Sequence, residues 1–266
     1  MKNNYKLGAA LAILGIAAGL LAFYLIAGQY NQVISVKLAT DRMDEAMSVR
    51  ITYAVLGWLG TATAAIWAAV LYGFLHNQKW SWFWGSVAST IQLLVGFFPA
   101  IPAMDSHLPT PTLIVFGLAA ILWFGMLFIG GVEKRIITLT FIAGLAYVLT
   151  FIDGVAPIAK FTTSHDNPFW NGMYVMTQQV SWWGAAAWAI FIFAVLKKKS
   201  WAIPVGVFAG SMSMLAGYPL GLYNALVEVH RFSMFLPAPL LSTTLIVYLV
   251  LPGTRKMLES WILKPE

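Results

Sequence analysis

The sequence contains no cysteine among its 266 residues. Disulfides, thiolate metal sites and thiol redox chemistry, including that of quinone-linked disulfide enzymes, are therefore excluded. Charged residues are also scarce, at 10% of the chain, whereas a soluble domain carries about 25%. Because 60% of the residues are hydrophobic, the chain lacks the polar residues that would cover a soluble protein of this length. We predict an integral membrane protein.

Histidine is rare as well, and none of the four histidines lies near the centre of an apolar stretch. Haem b in a helix bundle needs a histidine deep in each of two helices, so haem b is not expected. The apolar stretch at 201–224 contains no lysine, which leaves no nitrogen for a retinal Schiff base. The sequence identifies no other cofactor. The net charge of +6 comes from short clusters without a basic domain, so we expect no nucleic-acid partner.

Apolar stretches of about 20 residues, the length that crosses a bilayer, alternate with short polar breaks. They predict an all-α polytopic integral membrane helix bundle with about eight transmembrane helices, at 7–28, 51–75, 82–103, 112–132, 136–158, 174–196, 201–224 and 233–251. The first stretch follows two lysines, as in a secretory signal. It is too long for a signal core, and we expect it to be retained as a helix.

Basic residues mark every second break between these stretches. Lys79 and the segments 133–135, 197–199 and 255–256 fall on the same side as the N-terminal lysines. The positive-inside rule makes that side the cytoplasm. We therefore predict a multipass protein of the plasma or inner cell membrane with both termini in the cytoplasm.

Two further patterns concern helix packing and helix ends. Six tryptophans lie deep in the predicted helices, and we interpret them as packing residues between helices: Trp58, Trp67, Trp123, Trp182, Trp183 and Trp188. Thr40 precedes three acids and is predicted to cap a helix that extends the second span outward or lies along the membrane interface. Asn167 and Pro168 predict another helix start, with asparagine as the cap and proline at the first position.

The two halves of the chain share short motifs in the same order. In each half a lysine and a tryptophan open a helix that later carries a glycine and a proline, and an acid-x-His pair follows. The pairs are Asp105-Ser106-His107 and Glu228-Val229-His230. We interpret this order as a duplication of four helices, with repeats at 1–133 and 134–266. Because each repeat holds an even number of helices, the copies have the same orientation.

Three of the four histidines lie with several acids on the predicted outer face. The residues Asp105, His107, His165, Glu228 and His230 form a candidate outer site. Imidazole and carboxylate groups bind metals or transfer protons near neutral pH. Residues two apart do not face each other on a helix, so each acid-x-His pair requires a loop or extended segment. Solvated loop residues are the alternative, and no metal is assigned.

Asp153 is the only carboxylate inside a predicted span. An ionisable group within the membrane indicates a functional site. With Gln92 and Gln178, which also lie in spans, Asp153 forms a candidate path for a substrate or ion. The alternative is that Asp153 reaches water at the interface or bonds a neighbouring helix.

Three functions remain open at this point. The first is transport of a small solute or ion between the two four-helix halves. The second is a non-catalytic accessory subunit of a larger membrane complex, such as an energy-converting assembly. The third is an outward-facing membrane enzyme with a histidine and carboxylate centre, but the sparse motifs favour a function other than catalysis. The expected partners are the lipid bilayer and either other membrane subunits or further copies of the chain.

Overall fold

A computed structural model describes residues 4–157 and 167–263. The long elements in these ranges are all helices: α1 (Tyr5–Ala39), α2 (Met43–Leu75), α3 (Ser81–Phe97), α4 (Ala100–Asp105), α5 (Leu113–Ile129), α6 (Lys134–Val155), α7 (Pro168–Leu196), α8 (Ala202–Tyr223), α9 (Pro237–Val250) and α10 (Pro252–Ile262). A π-helical turn, Asn224–Glu228, continues directly from α8.

Several of these helices are long and apolar enough to cross a membrane. Six described segments meet that condition: Tyr5–Ala39, Met43–Leu75, Ser81–Asp105, Lys134–Val155, Pro168–Leu196 and Ala202–Glu228. α9 and α10 meet it as a pair bent by 74°, and α5 is a shorter apolar helix. These helices fit a multipass membrane protein, the class that the composition predicts.

The chain divides into two compact units, Met1–Glu133 (unit 1) and Lys134–Glu266 (unit 2). In unit 1, α1 packs on α2, α2 on α3 and α3 on α5, and α5 returns to α1. In unit 2, α6 packs on α7, α7 on α8 and α8 on α9, and α9 returns to α6. Each unit is therefore a closed circuit of four main helices.

The α1–α2 pair in unit 1 packs with its backbones close together. A Cβ added to Gly19 would lie only 2.8 Å from the carbonyl oxygen of Gly60, so no larger side chain fits there. The Trp67 ring fills the space beside Gly15, where a Cβ would lie 2.3 Å from Trp67 Cδ2. Small residues thus allow close helix contact, and they make this pair a tightly packed hairpin.

The two predicted helix starts have different outcomes. Asn167 accepts a hydrogen bond from the Phe169 amide at 3.2 Å and Pro168 is the first helical residue, as predicted. The prediction for Thr40 is wrong, because Thr40 ends α1 and Arg42 precedes α2. The Thr40 hydroxyl donates back to the Val36 carbonyl oxygen at 3.0 Å.

The deep tryptophans divide into two groups. Trp67, Trp123 and Trp188 are buried, as predicted. Trp182 is 42% exposed but also packs between helices, because a Cβ on Gly154 of α6 would lie 2.0 Å from Trp182 Cδ1. Trp58 and Trp183 are 66% and 67% exposed, so the prediction of packing residues is wrong for these two. Depth along an apolar helix does not distinguish the side that faces other helices from the side available to lipid.

Candidate functional site

The two acid-x-His pairs lie at helix ends. Asp105 is the last residue of α4, and Glu228 is the last residue of the π-helical turn. His107 and His230 have left-handed backbones, with φ of 55° and 50°, and both residues are exposed. Within 4–157 and 167–263 there is no group of three or more His, Asp or Glu residues that could hold a metal ion. His165 lies outside the described residues.

Asp105 belongs to a cluster of ion pairs at one end of unit 1. Lys37 Nζ bonds the Asp105 carboxylate and lies 2.8 Å from Glu45 Oε2. Arg42 Nε donates to Glu45 Oε1 at 2.8 Å, and Arg42 Nη1 lies 2.8 Å from Asp105 Oδ2. These four residues, which we call the hairpin ion-pair cluster, connect the end of α1, the start of α2 and the end of α4.

Lys37 is the buried member of this cluster. Its side chain is 2% exposed, whereas those of Glu45 and Asp105 are 17% and 49% exposed. A buried ammonium group is stable only with close counter-charges, because its transfer out of water is costly. Burial lowers the pKa of Arg42, but the hydrogen bonds and charges of Glu45 and Asp105 outweigh that effect and raise it. Arg42 therefore remains charged and paired with both carboxylates.

Gln92 lies in the interior of unit 1 and is fully buried. Its Oε1 atom accepts a hydrogen bond from Trp67 Nε1 at 3.0 Å. Its Nε2 atom donates to the Gly15 carbonyl oxygen at 2.9 Å. The Gln92 amide thus connects α1, α2 and α3 through short, buried hydrogen bonds.

One face of α7 is polar along the interior of unit 2. Tyr174, Gln178, Ser181 and Trp188 are buried at helical spacing, and Asn171 precedes them on the same face. Within the described residues, Asn171 Oδ1, Ser181 Oγ and Trp188 Nε1 are buried and have no hydrogen-bond partner. We call these five residues the α7 polar face. Buried polar groups of this kind are uncommon in a packed core, and each one needs a physical reason.

Asp153 on α6 lies at the same level of unit 2. The Thr150 hydroxyl is 3.1 Å from the Ser213 hydroxyl of α8. A Cβ on Gly184 of α7 would lie 3.2 Å from Thr150 Cγ2. Asp153 follows Thr150 by three residues and therefore shares its helix face. It is 3% exposed.

The π-helical turn provides a second polar group in unit 2. Asn224 Nδ2 donates to Glu228 Oε2 at 2.6 Å, and the Ser233 hydroxyl donates to Asn224 Oδ1 at 2.8 Å. The Tyr174 hydroxyl lies beside Glu228. Glu228 therefore borders one end of the α7 polar face.

Apolar side chains close the other end of this interior. A Cβ on Gly206 would lie 2.6 Å from Leu249 Cδ1 and 2.8 Å from Phe191 Cδ2. Both Phe191 and Leu249 are fully buried. The Trp188 ring meets the Phe191 ring edge to face, with 5.6 Å between centroids. The polar interior of unit 2 thus extends from Glu228 to an apolar layer at Trp188.

No protein-family model, curated protein or solved structure matches the sequence. In the described part of unit 2 the buried polar side chains include one carboxylate, that of Asp153, together with hydroxyl and amide groups, but no lysine, arginine or histidine. Oxygen-rich groups around a carboxylate bind cations or relay protons.

Several of these residues were not predicted from the sequence, although their helical spacing is visible in it. The α7 polar face is visible in the spacing of Asn171, Tyr174, Gln178 and Ser181, of which only Gln178 was selected. Lys37 is not among the residues of the predicted outer site. The buried face of α1, with Gly19, Ala22, Ile26, Gln29 and Val33, reaches Lys37 at the same helical spacing.

Proposed function

We propose that the chain crosses the cell membrane eight times, with both termini in the cytoplasm. A helix occupies each predicted span, and α5 and α9 supply the fourth and eighth crossings. These two helices have 17 and 14 residues, or about 25 Å and about 21 Å of rise. A helix shorter than the hydrocarbon layer crosses by thinning the bilayer and by using its flanking residues.

The absence of native cysteine permits a direct topology test. Single cysteines replace four exposed turn or helix-end residues: Gln78, Lys199, Asp44 and Arg231. We expect a membrane-impermeant maleimide to label the Asp44→Cys and Arg231→Cys variants in intact spheroplasts. The Gln78→Cys and Lys199→Cys variants should react only after permeabilisation. Labelling of Asp44→Cys and Arg231→Cys on opposite sides would contradict an even number of crossings between them.

We further propose that the two units arose by duplication of four helices. One constant sequence separation relates Tyr53 to Tyr174, Trp67 to Trp188, Gly85 to Gly206 and Gly96 to Gly217. Both tyrosines and both tryptophans are buried. The same separation relates Asn77 to Lys198, which both have left-handed backbones after a helix, with φ of 54° and 53°. The shared circuit of helix contacts is further support.

For the activity, we propose that the protein carries a proton or a small cation through the interior of unit 2. The observation that supports this is the buried Asp153 carboxylate, on the helix face that meets α8 and at the level of the α7 polar face. A carboxylate in such a place is costly and is retained for ion or proton pathways. Gln92 differs, because both ends of its amide are bonded within unit 1. The proposed path therefore involves Asp153 and Gln178 but not Gln92.

Replacing Asp153 with asparagine is expected to abolish this flux. The amide keeps the size of the side chain but cannot ionise, so it neither exchanges a proton nor balances a cation. The measurement uses purified protein in liposomes under an imposed membrane potential, with a pH-sensitive dye for protons and with sodium and potassium tested separately. Flux should fall to that of protein-free liposomes.

The matched control for this experiment is Asp44→Asn, the same chemical change at an exposed position of α2. It should transport as the wild-type protein does. Flux through Asp153→Asn equal to that of Asp44→Asn would contradict the role of Asp153. Wild-type flux no faster than that of empty liposomes, for all three ions, would contradict ion transport itself.

A further inference from the structure

α10 is a short helix with two different faces, bent by 74° from α9. Thr254, Leu258 and Trp261 are buried on one face. Arg255 and Lys256 are exposed on the other. Leu251 and Leu263, at the two ends of the helix, are 48% and 82% exposed. An amphipathic helix with basic residues and exposed apolar ends is typical of the membrane interface.

Two contacts hold α10 against the end of α7. The indole nitrogen of Trp261 donates to the Val195 carbonyl oxygen at 2.8 Å. The Lys198 Nζ atom lies 4.9 Å from the centroid of the Trp261 ring, a cation–π distance. These contacts bring α10 beside the turn that follows α7. The basic residues of both segments consequently belong to one surface.

This surface, which we call the α7–α10 basic surface, consists of the turn 197–199 together with Arg255 and Lys256. Lys199, Arg255 and Lys256 are exposed. Glu259 is the one acidic residue in the described part of these two segments. An excess of positive charge at the end of membrane-crossing helices is complementary to a negatively charged lipid headgroup.

We propose that the α7–α10 basic surface binds the phosphate of an anionic phospholipid headgroup. Arg255 and Lys256 on α10 and Lys199 after α7 supply the exposed positive charge of this surface. Arginine suits this role because its planar donors match phosphate oxygens. The exposed leucines at the ends of α10 enter the adjoining acyl region. This site is independent of ion transport, since it requires only that the ends of α7 and α10 lie at a membrane surface.

The test compares Arg255→Gln/Lys256→Gln with the control Lys6→Gln/Lys79→Gln, which removes two exposed positive charges elsewhere. Each protein in neutral phosphatidylcholine nanodiscs is titrated with phosphatidylglycerol, and bound lipid is counted by native mass spectrometry. We expect the α10 variant to bind phosphatidylglycerol about 25-fold more weakly, since it removes two basic residues and each one close to an anionic headgroup contributes roughly a fivefold factor. The control should bind as the wild-type protein does.

Two further measurements separate this proposal from its alternatives. Thermal stability in pure phosphatidylcholine should be equal for both double variants, which shows that the exposed substitutions leave the fold intact. Inorganic phosphate at millimolar concentration should not displace the lipid. Equal phosphatidylglycerol binding by the α10 variant and the control would overturn the proposal. Displacement by inorganic phosphate would also overturn it, because the ligand would then be the free anion.

Discussion

Replacing Lys37 with methionine should lower the free energy of unfolding by about 3 kcal/mol, the lower end of the range for losing one partner of a buried ion pair. Methionine has a similar length and no charge. The change leaves Glu45 and Asp105 to repel each other with only Arg42 between them. We expect the lower end of the range because the Asp105 side chain is 49% exposed, and water compensates part of its charge.

The measurement is an unfolding titration with SDS in mixed micelles, followed by tryptophan fluorescence. Lys6→Met provides the control, since Lys6 lies on the same helix and is exposed. Adding Glu45→Gln and Asp105→Asn to Lys37→Met should recover part of the lost stability, because it removes the repulsion between the two carboxylates. Equal stability of Lys37→Met and Lys6→Met would show that the buried ion pairs do not stabilise unit 1.

Replacing Gln92 with leucine should lower the stability of unit 1 by about 1–3 kcal/mol, the cost of leaving a buried donor without a partner. The donor is Trp67 Nε1, whose hydrogen bond to Gln92 is 3.0 Å long. The Gly15 carbonyl oxygen also loses the hydrogen bond of 2.9 Å that it accepts from Gln92 Nε2. Ion flux per folded molecule should remain unchanged, which is the opposite of the result expected for Asp153→Asn.

A double-variant cycle with Trp67→Phe checks the physical reason. Phenylalanine has no indole N–H group, so Trp67→Phe/Gln92→Leu should be less destabilised than the sum of the two single variants. The same SDS titration measures all four proteins, with Gln78→Leu as the control for an exposed glutamine. Strict additivity would contradict the importance of this hydrogen bond. Loss of ion flux in Gln92→Leu with no loss of stability would indicate that Gln92 takes part in transport.

Unit 2 has no counterpart of the hydrogen bond between Trp67 and Gln92 among its described residues. In the proposed duplication, Ser213 corresponds to Gln92 and Trp188 corresponds to Trp67. Serine is too short to take over the role of the glutamine, and its hydroxyl lies 3.1 Å from Thr150. Trp188 Nε1 has no hydrogen-bond partner among the described residues. The two units thus keep the same buried tryptophan in different polar surroundings.

The membrane class was predictable because it follows from composition, which does not depend on tertiary contacts. The start of α7 was predictable for a similar reason, since Asn167 and Pro168 act on their own helix. The surroundings of Trp58 and Trp183 were not predictable from hydropathy, because lipid and protein interiors are equally apolar. The burial of Asp153 agrees with its position in an apolar stretch, but its neighbours on α7 and α8 depend on how the helices pack.

The hairpin ion-pair cluster shows the same limit. Lys37 and Asp105 are 68 residues apart in the sequence, and nothing local to either residue indicates the pairing. Thr40 led to a wrong helix start because the pattern of a cap followed by acids does not include the left-handed turn at Asp41. Because α1 continues to Ala39, the helical spacing places Lys37 on the buried face of α1. Glu45 and Asp105 pair with it there.

The lengths of α1 and α2 have a practical consequence for imaging. They contain 35 and 33 residues, or about 52 Å and about 50 Å of rise, whereas the hydrocarbon layer is about 30 Å thick. In the proposed topology, each helix is therefore roughly 20 Å longer than the hydrocarbon layer, and the turn between them, braced by Lys37 and Arg42, carries part of this length out of the bilayer. An antibody fragment raised against residues 40–45 would have a rigid epitope there, and it would serve as an alignment marker for electron microscopy of a protein otherwise enclosed by detergent.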